Sequence, residues 1–326
     1  MSVADTALSM TLASVYFIVI PVSLFGNSIL IHIIRTRHFL KSTTNYLILN
    51  QACADLIITL TIMRDMLNNE VFRRKWFGGD WGLPTCRLVI WLSFPSPFCS
   101  IWSLAAIAID RYFAVARPLQ LSVISRHIKL VITALWLWSF LSAAGTISMA
   151  KLIFVSGEYH VCVMDFSHVK LSAGNIASLF IIVCLNFLVP LVVMSVLYSI
   201  VCWRLWSRDV PGEEASRDQR HRQALTTAKK VTRMMIVVVV FFVLCWFPFH
   251  SFIFLGSINK ITLPYSAIKF IVWLANAYSA INPLIYLCYN GKFRQEFMVI
   301  MGNCLKRLGC FRSNTRRRYD FNGIGT

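Results

Sequence analysis

Few side chains in this sequence could do chemistry, and most of those stand in apolar surroundings. Asp110 and Arg111 lie side by side where an apolar run ends, in Ser-Leu-Ala-Ala-Ile-Ala-Ile-Asp-Arg-Tyr at 103–112. An acid and a base at the mouth of a membrane-length helix are costly unless they meet water, each other or a partner protein. Asp55 falls about halfway through another apolar run, in Ala54-Asp55-Leu56. There it needs a cation, a proton or hydrogen-bond partners. Two readings stay open: a functional cation or proton site, or a neutral carboxyl satisfied by Asn27 and Asn282. Arg64 and Asp65 close the same run, either as an ion pair at the headgroups or as ligand contacts.

Enzyme chemistry finds no support. The ten cysteines are scattered, with no C-x-x-C pair and no Cys/His cluster at metal spacing, which argues against zinc or redox work. His250 stands alone in an apolar run, without the second histidine, acid or serine that an intramembrane active site needs. It reads as a pocket or packing residue.

The elements that position these residues follow from composition. Of 326 residues 57% are hydrophobic and 14% charged, which points to a membrane protein. Seven apolar runs, near 11–34, 46–67, 85–111, 128–150, 172–203, 231–256 and 265–288, reach the length of about 20 residues that a bilayer requires. The first has no basic stretch before it and no cleavage pattern, and reads as a membrane helix, not a removable signal. Pro95 and Pro97 should loosen the outer half of the third run, and Pro190, Pro248 and Pro283 mark kinks in the last three. The loops and tail on one side carry 23 Lys and Arg, those on the other 9. The positive-inside rule places the 23 in the cytoplasm and the N-terminus outside. The net charge of +18 is therefore a topology signal, and a nucleic-acid partner is not implied. Three regions result: an extracellular N-terminus at 1–10, a seven-helix bundle at 11–288, and a tail at 289–326. The tail opens with Lys292-Phe293-Arg294-Gln295-Glu296-Phe297-Met298, whose helical spacing suits an amphipathic helix on the inner leaflet.

Cys86 and Cys162 both fall on the outer, oxidising side, where a disulfide would tie the fourth-to-fifth loop over the mouth of the third helix. The connectivity stays open at this stage. Cys304 and Cys310 follow the amphipathic stretch among Arg and Lys and are candidate palmitoylation sites. A transporter's internal repeats and a channel's polar pore stripe are both absent.

Taken in order, Asn27, Asp55, Cys86, Asp110-Arg111-Tyr112, Trp136, Cys162, Pro190, Tyr198, Cys245-Trp246-Phe247-Pro248 and Asn282-Pro283-Leu284-Ile285-Tyr286 fall one group per helix or loop. Over essentially the whole chain this set resembles the rhodopsin-like (class A) G-protein-coupled receptors. The resemblance implies an all-α membrane fold and a receptor at the plasma membrane that passes a signal to a heterotrimeric G protein, with arrestin as a further partner. Arg111 would be caged by Asp110 and, once the sixth helix swings out, would meet the G protein near Tyr198 and Tyr286. Ile101, Pro190 and Phe242 match the family's core connector, and Trp246 its toggle at the pocket floor. Asp55, Ser100, Ser279 and Asn282 match most of a sodium pocket, the one cofactor the resemblance raises. Tyr278 departs from that pocket's pattern. Ala228 replaces the acid that locks Arg111 in some members, so higher basal activity is expected. The fourth helix lacks its usual proline.

The ligand is narrowed by substitution. Ser93 stands where amine receptors of the family carry an aspartate, which argues against a monoamine. Asn276 stands where photopigments carry the retinal lysine. The remaining wall, Asp65, Ser93, Phe94, Phe249, His250, Trp273 and Asn276, with Glu158 in the loop, is mixed in charge and aromatic. Its texture is similar to neuropeptide receptors of the tachykinin, neuropeptide FF and orexin type, with Asp65 or Glu158 expected to meet a basic ligand group. The alternatives are a small-molecule ligand (an amine or lipid) and a receptor-like protein that does not couple.

Overall fold

The computed structural model describes residues 3–63, 76–117, 120, 122–155, 159–164, 177, 180–207, 215–257 and 263–307. Arg64, Asp65, Glu158 and Cys310 lie outside the described residues. Within a bilayer each backbone polar group must be satisfied internally, so long apolar runs resolve into helices. Seven helices are long and apolar enough to cross a membrane. They are α1 (Val3–Thr36), α2 (Thr43–Ile58, continued by a π turn at Thr59–Met63), α3 (Gly82–Ala116), α4 (Ile128–Met149), α5 (Ile181–Trp206), α6 (Ala215–Ser257) and α7 (Tyr265–Tyr289). A last helix, α8 (Gly291–Arg307), follows α7.

Two helices begin earlier than hydrophobicity alone indicates. α1 is helical from Val3, so the N-terminal stretch expected as a separate tail continues into the first span. α6 starts at Ala215, well before the apolar run at 231. Residues 215–230 are polar but contain no Gly or Pro, and many are strong helix formers. Helix and apolar run are different quantities, and here they part. In α3 the helix is interrupted after Ser93 and resumes at Pro95, as the paired prolines lead one to expect.

Polar side chains join the helices. Asn186 on α5 donates to the Ile181 carbonyl (3.1 Å) within a π-helical stretch, Ile181–Leu188. Its Oδ1 accepts the indole N–H groups of Trp102 on α3 (3.1 Å) and Trp138 on α4 (2.9 Å). One amide thus holds three helices. Trp136 donates to Asn50 Oδ1 (2.9 Å), and Asn50 donates to Ser103 (2.9 Å), joining α4, α2 and α3. Trp136 and Trp138 are therefore interhelical links.

At the end away from the basic loops, β1 (Ala150–Val155) and β2 (Tyr159–Met164) form an antiparallel hairpin with Leu152 opposite Cys162. Cys162 is disulfide-bonded to Cys86 near the start of α3, which fixes the hairpin over that end. At the other end α8 docks through Phe293, fully buried, and an Arg37–Glu296 ion pair at 2.7 Å. Phe297 meets Phe25 edge-on at 6.5 Å. Cys304 is exposed on α8.

Gly26 lets α1 approach α7. A Cβ at that position would lie 2.7 Å from Pro283 Cγ, and a proline ring cannot rotate away. Gly26→Ala is expected to cost about 1–3 kcal/mol through overpacking. It should lower the thermal midpoint of the detergent-solubilised protein. Gly302→Ala, with nothing within 4 Å of the added Cβ, should leave the midpoint unchanged or raise it.

Candidate functional site

The Asp110 carboxylate is the most fully engaged polar group at the basic end. Its Oδ2 accepts from Arg111 Nη2 at 2.6 Å and from Thr44 Oγ1 on α2 at 3.0 Å. Its Oδ1 accepts from Ser122 Oγ at 3.1 Å. Ser122 also caps the helical turn Val123–Arg126, accepting from Ser125 N at 3.0 Å. Asp110 therefore anchors α3 to α2 and to the following loop while holding Arg111. Arg111 Nε and the Tyr198 hydroxyl are buried without partners. In a closed bundle such orphans mark an arrangement in which the groups are not all satisfied. Tyr112 is half-buried and packs against the small apolar cluster of Val115, Val201 and Leu205. Ala228 packs on that cluster too, and no acid stands there.

Deeper in the bundle, Asn282 Nδ2 donates to Asp55 Oδ2 at 2.7 Å. Of the two amides that one of the open readings gave to Asp55, Asn282 bonds it and Asn27 does not. Its amide donates to the Ser279 carbonyl at 2.9 Å and to Ser23, tying α1 to α7 instead. Asp55 Oδ1, Ser100 Oγ and Asn282 Oδ1 are buried without partners, and three hard oxygens in that condition suit a small hard cation such as sodium. The Ser279 hydroxyl has partners of its own, Ser23 Oγ at 3.2 Å and the Asn276 carbonyl at 3.1 Å.

Tyr278 explains its own departure from the pattern. Its hydroxyl accepts from Gln51 Nε2 at 2.9 Å. Gln51 Oε1 in turn accepts from the Tyr286 hydroxyl at 3.1 Å. One buried glutamine on α2 thus holds two of the tyrosines of α7, Tyr278 and Tyr286. Gln51 was missed in the sequence, as was Asn186. Their only signal there was a polar residue inside an apolar run.

An aromatic column leads away from the basic end. Phe242 meets Tyr278 edge-on at 5.1 Å and stacks with Trp246 at 5.9 Å. Phe187 lies 6.4 Å from Phe242 and stacks on His250 at 4.2 Å. Phe249 meets Trp246 edge-on at 5.8 Å. Ile101 and Pro190 are buried, and Pro248 is half-buried in α6. His250 Nδ1 and Trp246 Nε1 in the column are buried without partners, as is Nε1 of Trp273, which packs apart from it against Tyr16, Ile58 and Met63. Asn276 is buried on α7. Ser93 is spent on its own helix, donating to the Val89 carbonyl at 2.7 Å, and Phe94 packs on Phe98.

Seven helices long enough and apolar enough to cross a membrane, with an acid–base pair caged at one end and a buried aromatic column within the bundle, define a seven-helix membrane protein. The sequence matches the 7 transmembrane receptor (rhodopsin family) over residues 26–286. It is 31% identical over 294 residues to the substance-P receptor of Aquarana catesbeiana, covering 89% of this chain and 70% of that one. It is also 31% identical over 291 residues to the neuromedin-K receptor of Rattus norvegicus, covering 86% and 61%. Identity is again 31%, over 301 residues, to the substance-K receptor of Homo sapiens, covering 90% and 73%. This chain belongs to the rhodopsin family of seven-transmembrane receptors, and its class is that of receptors, not enzymes.

A double-mutant cycle tests the glutamine bridge. Gln51→Leu and Tyr278→Phe each remove one side of the contact, and the coupling between them should be about 0.5–1.5 kcal/mol in thermal denaturation. Strict additivity would mean that the two side chains do not meet in solution.

Proposed function

We propose that this protein is a plasma-membrane receptor, N-terminus outside, that binds a short extracellular peptide and activates a heterotrimeric G protein. The observation that carries the reading is the caged Arg111 at one end of a bundle whose interior holds an aromatic column with unpartnered polar atoms at Trp246 and His250. A ligand that prefers the arrangement with α6 displaced about Pro248 shifts the population toward it. Arg111 then leaves Asp110, and the Tyr198 and Tyr286 hydroxyls gain a route to partners. With Ala228 in place of an acid, Asp110 alone opposes that release. The positive-inside count supports the orientation, and arrestin is proposed for the same basic face. Asp55, Ser100 and Asn282 would hold a sodium ion, which would supply positive charge beside Asp55 and favour the closed bundle. Cys304 is proposed as a palmitoylation site.

The peptide ligand is supported by two lines. The cleft lacks an aspartate at Ser93, and the relatives are receptors named for substance P, neuromedin K and substance K.

G-protein dissociation in cells, wild type beside Arg111→Ala, tests the whole reading. Pooled short neuropeptides should give a response that the variant loses, with both proteins at the surface. A response to pooled amines in place of peptides would overturn the ligand reading. An undiminished response in Arg111→Ala would overturn the coupling mechanism.

A further inference from the structure

Pro283 puts a weak point inside α7. A proline has no N–H, so the carbonyl four residues back, that of Ser279, loses its helical donor. Asn27 Nδ2 on α1 meets that carbonyl at 2.9 Å. The angle between the two arms of the helix is held from α2. Tyr278 precedes Pro283 and Tyr286 follows it. At about 1.5 Å per residue the two tyrosines stand roughly 12 Å apart along the axis. Both hydroxyls nevertheless meet one amide: Tyr278 accepts from Gln51 Nε2 at 2.9 Å, and Tyr286 donates to Gln51 Oε1 at 3.1 Å. Gln51, Tyr278 and Tyr286 are each 1% exposed, so a broken bond leaves a buried polar group unsatisfied.

A simple strut between α2 and α7 would need only one of these bonds. Asn282, one turn before Tyr286, shows the simple case. It donates to Asp55 Oδ2 at 2.7 Å, and Asp55 lies one turn along α2 from Gln51. Asn282–Asp55 and Tyr286–Gln51 are thus successive rungs between the two helices. The Tyr278 bond is not a rung. It runs from the far side of Pro283 to the same amide and makes that amide a bridge between the arms. The arm that carries Tyr278 is also joined to α6, because its ring meets Phe242 edge-on at 5.1 Å and Phe242 stacks on Trp246 at 5.9 Å. Ala228 packs on the apolar cluster of Val115, Val201 and Leu205 and supplies no charge to hold Arg111.

We propose that Gln51 is a positioning residue: it staples the two arms of α7 across Pro283 in the arrangement seen here, and its release of Tyr286 is a step toward coupling. The staple, and not a charge on α6, then sets how often the protein signals without ligand. Its effect on signalling rests on the G-protein coupling proposed above; the staple itself does not.

Fluorine NMR of the purified full chain, labelled at cysteine with a trifluoromethyl group, tests the staple. Cys288 is exposed two residues beyond Tyr286, and its resonances are those that vanish in Cys288→Ser. Gln51→Leu should raise the ratio of its minor to its major resonance about three- to tenfold, the population shift that interhelical hydrogen bonds in a membrane carry. Tyr278→Phe, which keeps the ring and loses the bond, should raise it about threefold. Trp138→Phe removes an interhelical hydrogen bond of 2.9 Å from α4 and should leave the ratio unchanged. An unchanged ratio in Gln51→Leu or in Tyr278→Phe, or an equal rise in Trp138→Phe, would overturn the proposal. In cells, Gln51→Leu should raise ligand-independent G-protein dissociation per surface receptor by a similar factor, and adding Arg111→Ala should abolish the rise. A merely structural loss would lower surface expression and raise no basal signal. A raised ratio with a flat basal signal, in a protein whose wild type answers peptide, would overturn the signalling step. A wild type that couples to nothing would overturn the proposed function, while the Cys288 ratio would still decide the staple.

Discussion

Inside a bilayer there is no water to satisfy a polar group, and this constraint orders most of the bundle. A buried side-chain amide has more donors and acceptors than its own helix can meet, and several reach a partner on another helix. Asn27 reaches from α1 to α7, Asn50 links α2 to α3 and receives Trp136 from α4, and Asn186 accepts from α3 and α4. Lipid-facing apolar side chains gain little by choosing one neighbour over another, since lipid is equally apolar. The amides therefore fix which helix packs against which, and the apolar surfaces fill in around them.

The same constraint shows where the molecule is not at rest. Asp110 is saturated with donors, while Arg111 Nε and the Tyr198 hydroxyl a short way off have none. Within the aromatic column His250 and Trp246 each keep a buried nitrogen without a partner. The satisfied groups hold one arrangement of the helices together. The unsatisfied ones give a second arrangement something to gain.

Much of this was legible in the sequence because the informative residues come as short local words. Asp110-Arg111-Tyr112, Cys245-Trp246-Phe247-Pro248 and Asn282-Pro283 each fix their own place on a helix. Cys86 and Cys162 could be paired because topology put both on one side. What stayed hidden were pairings that depend on how each helix is rotated about its axis. Gln51 stands beside Asn50 in a largely apolar run, and nothing near it in the chain names two tyrosines more than 220 positions away. Asn27 was one candidate partner for Asp55 in one of two open readings, and the geometry gives it to the Ser279 carbonyl. The early start of α6 was missed for a different reason: helix propensity continues through residues 215–230 after hydrophobicity has ended.

That early start turns α6 into a lever. It runs unbroken for 43 residues with Pro248 near one end. At about 1.5 Å per residue the arm from Pro248 to Ala215 is roughly 50 Å long. A tilt of about 10 degrees at the proline would carry the far end some 9 Å, approximately six times the travel of a point one and a half turns from the pivot. The fulcrum lies beside the aromatic cleft, where a small shift of rings is the available input. The load is the polar extension beyond the membrane, where displacement is largest and force least. The helix therefore trades force for distance, which suits opening a crevice for a partner better than it suits pushing one.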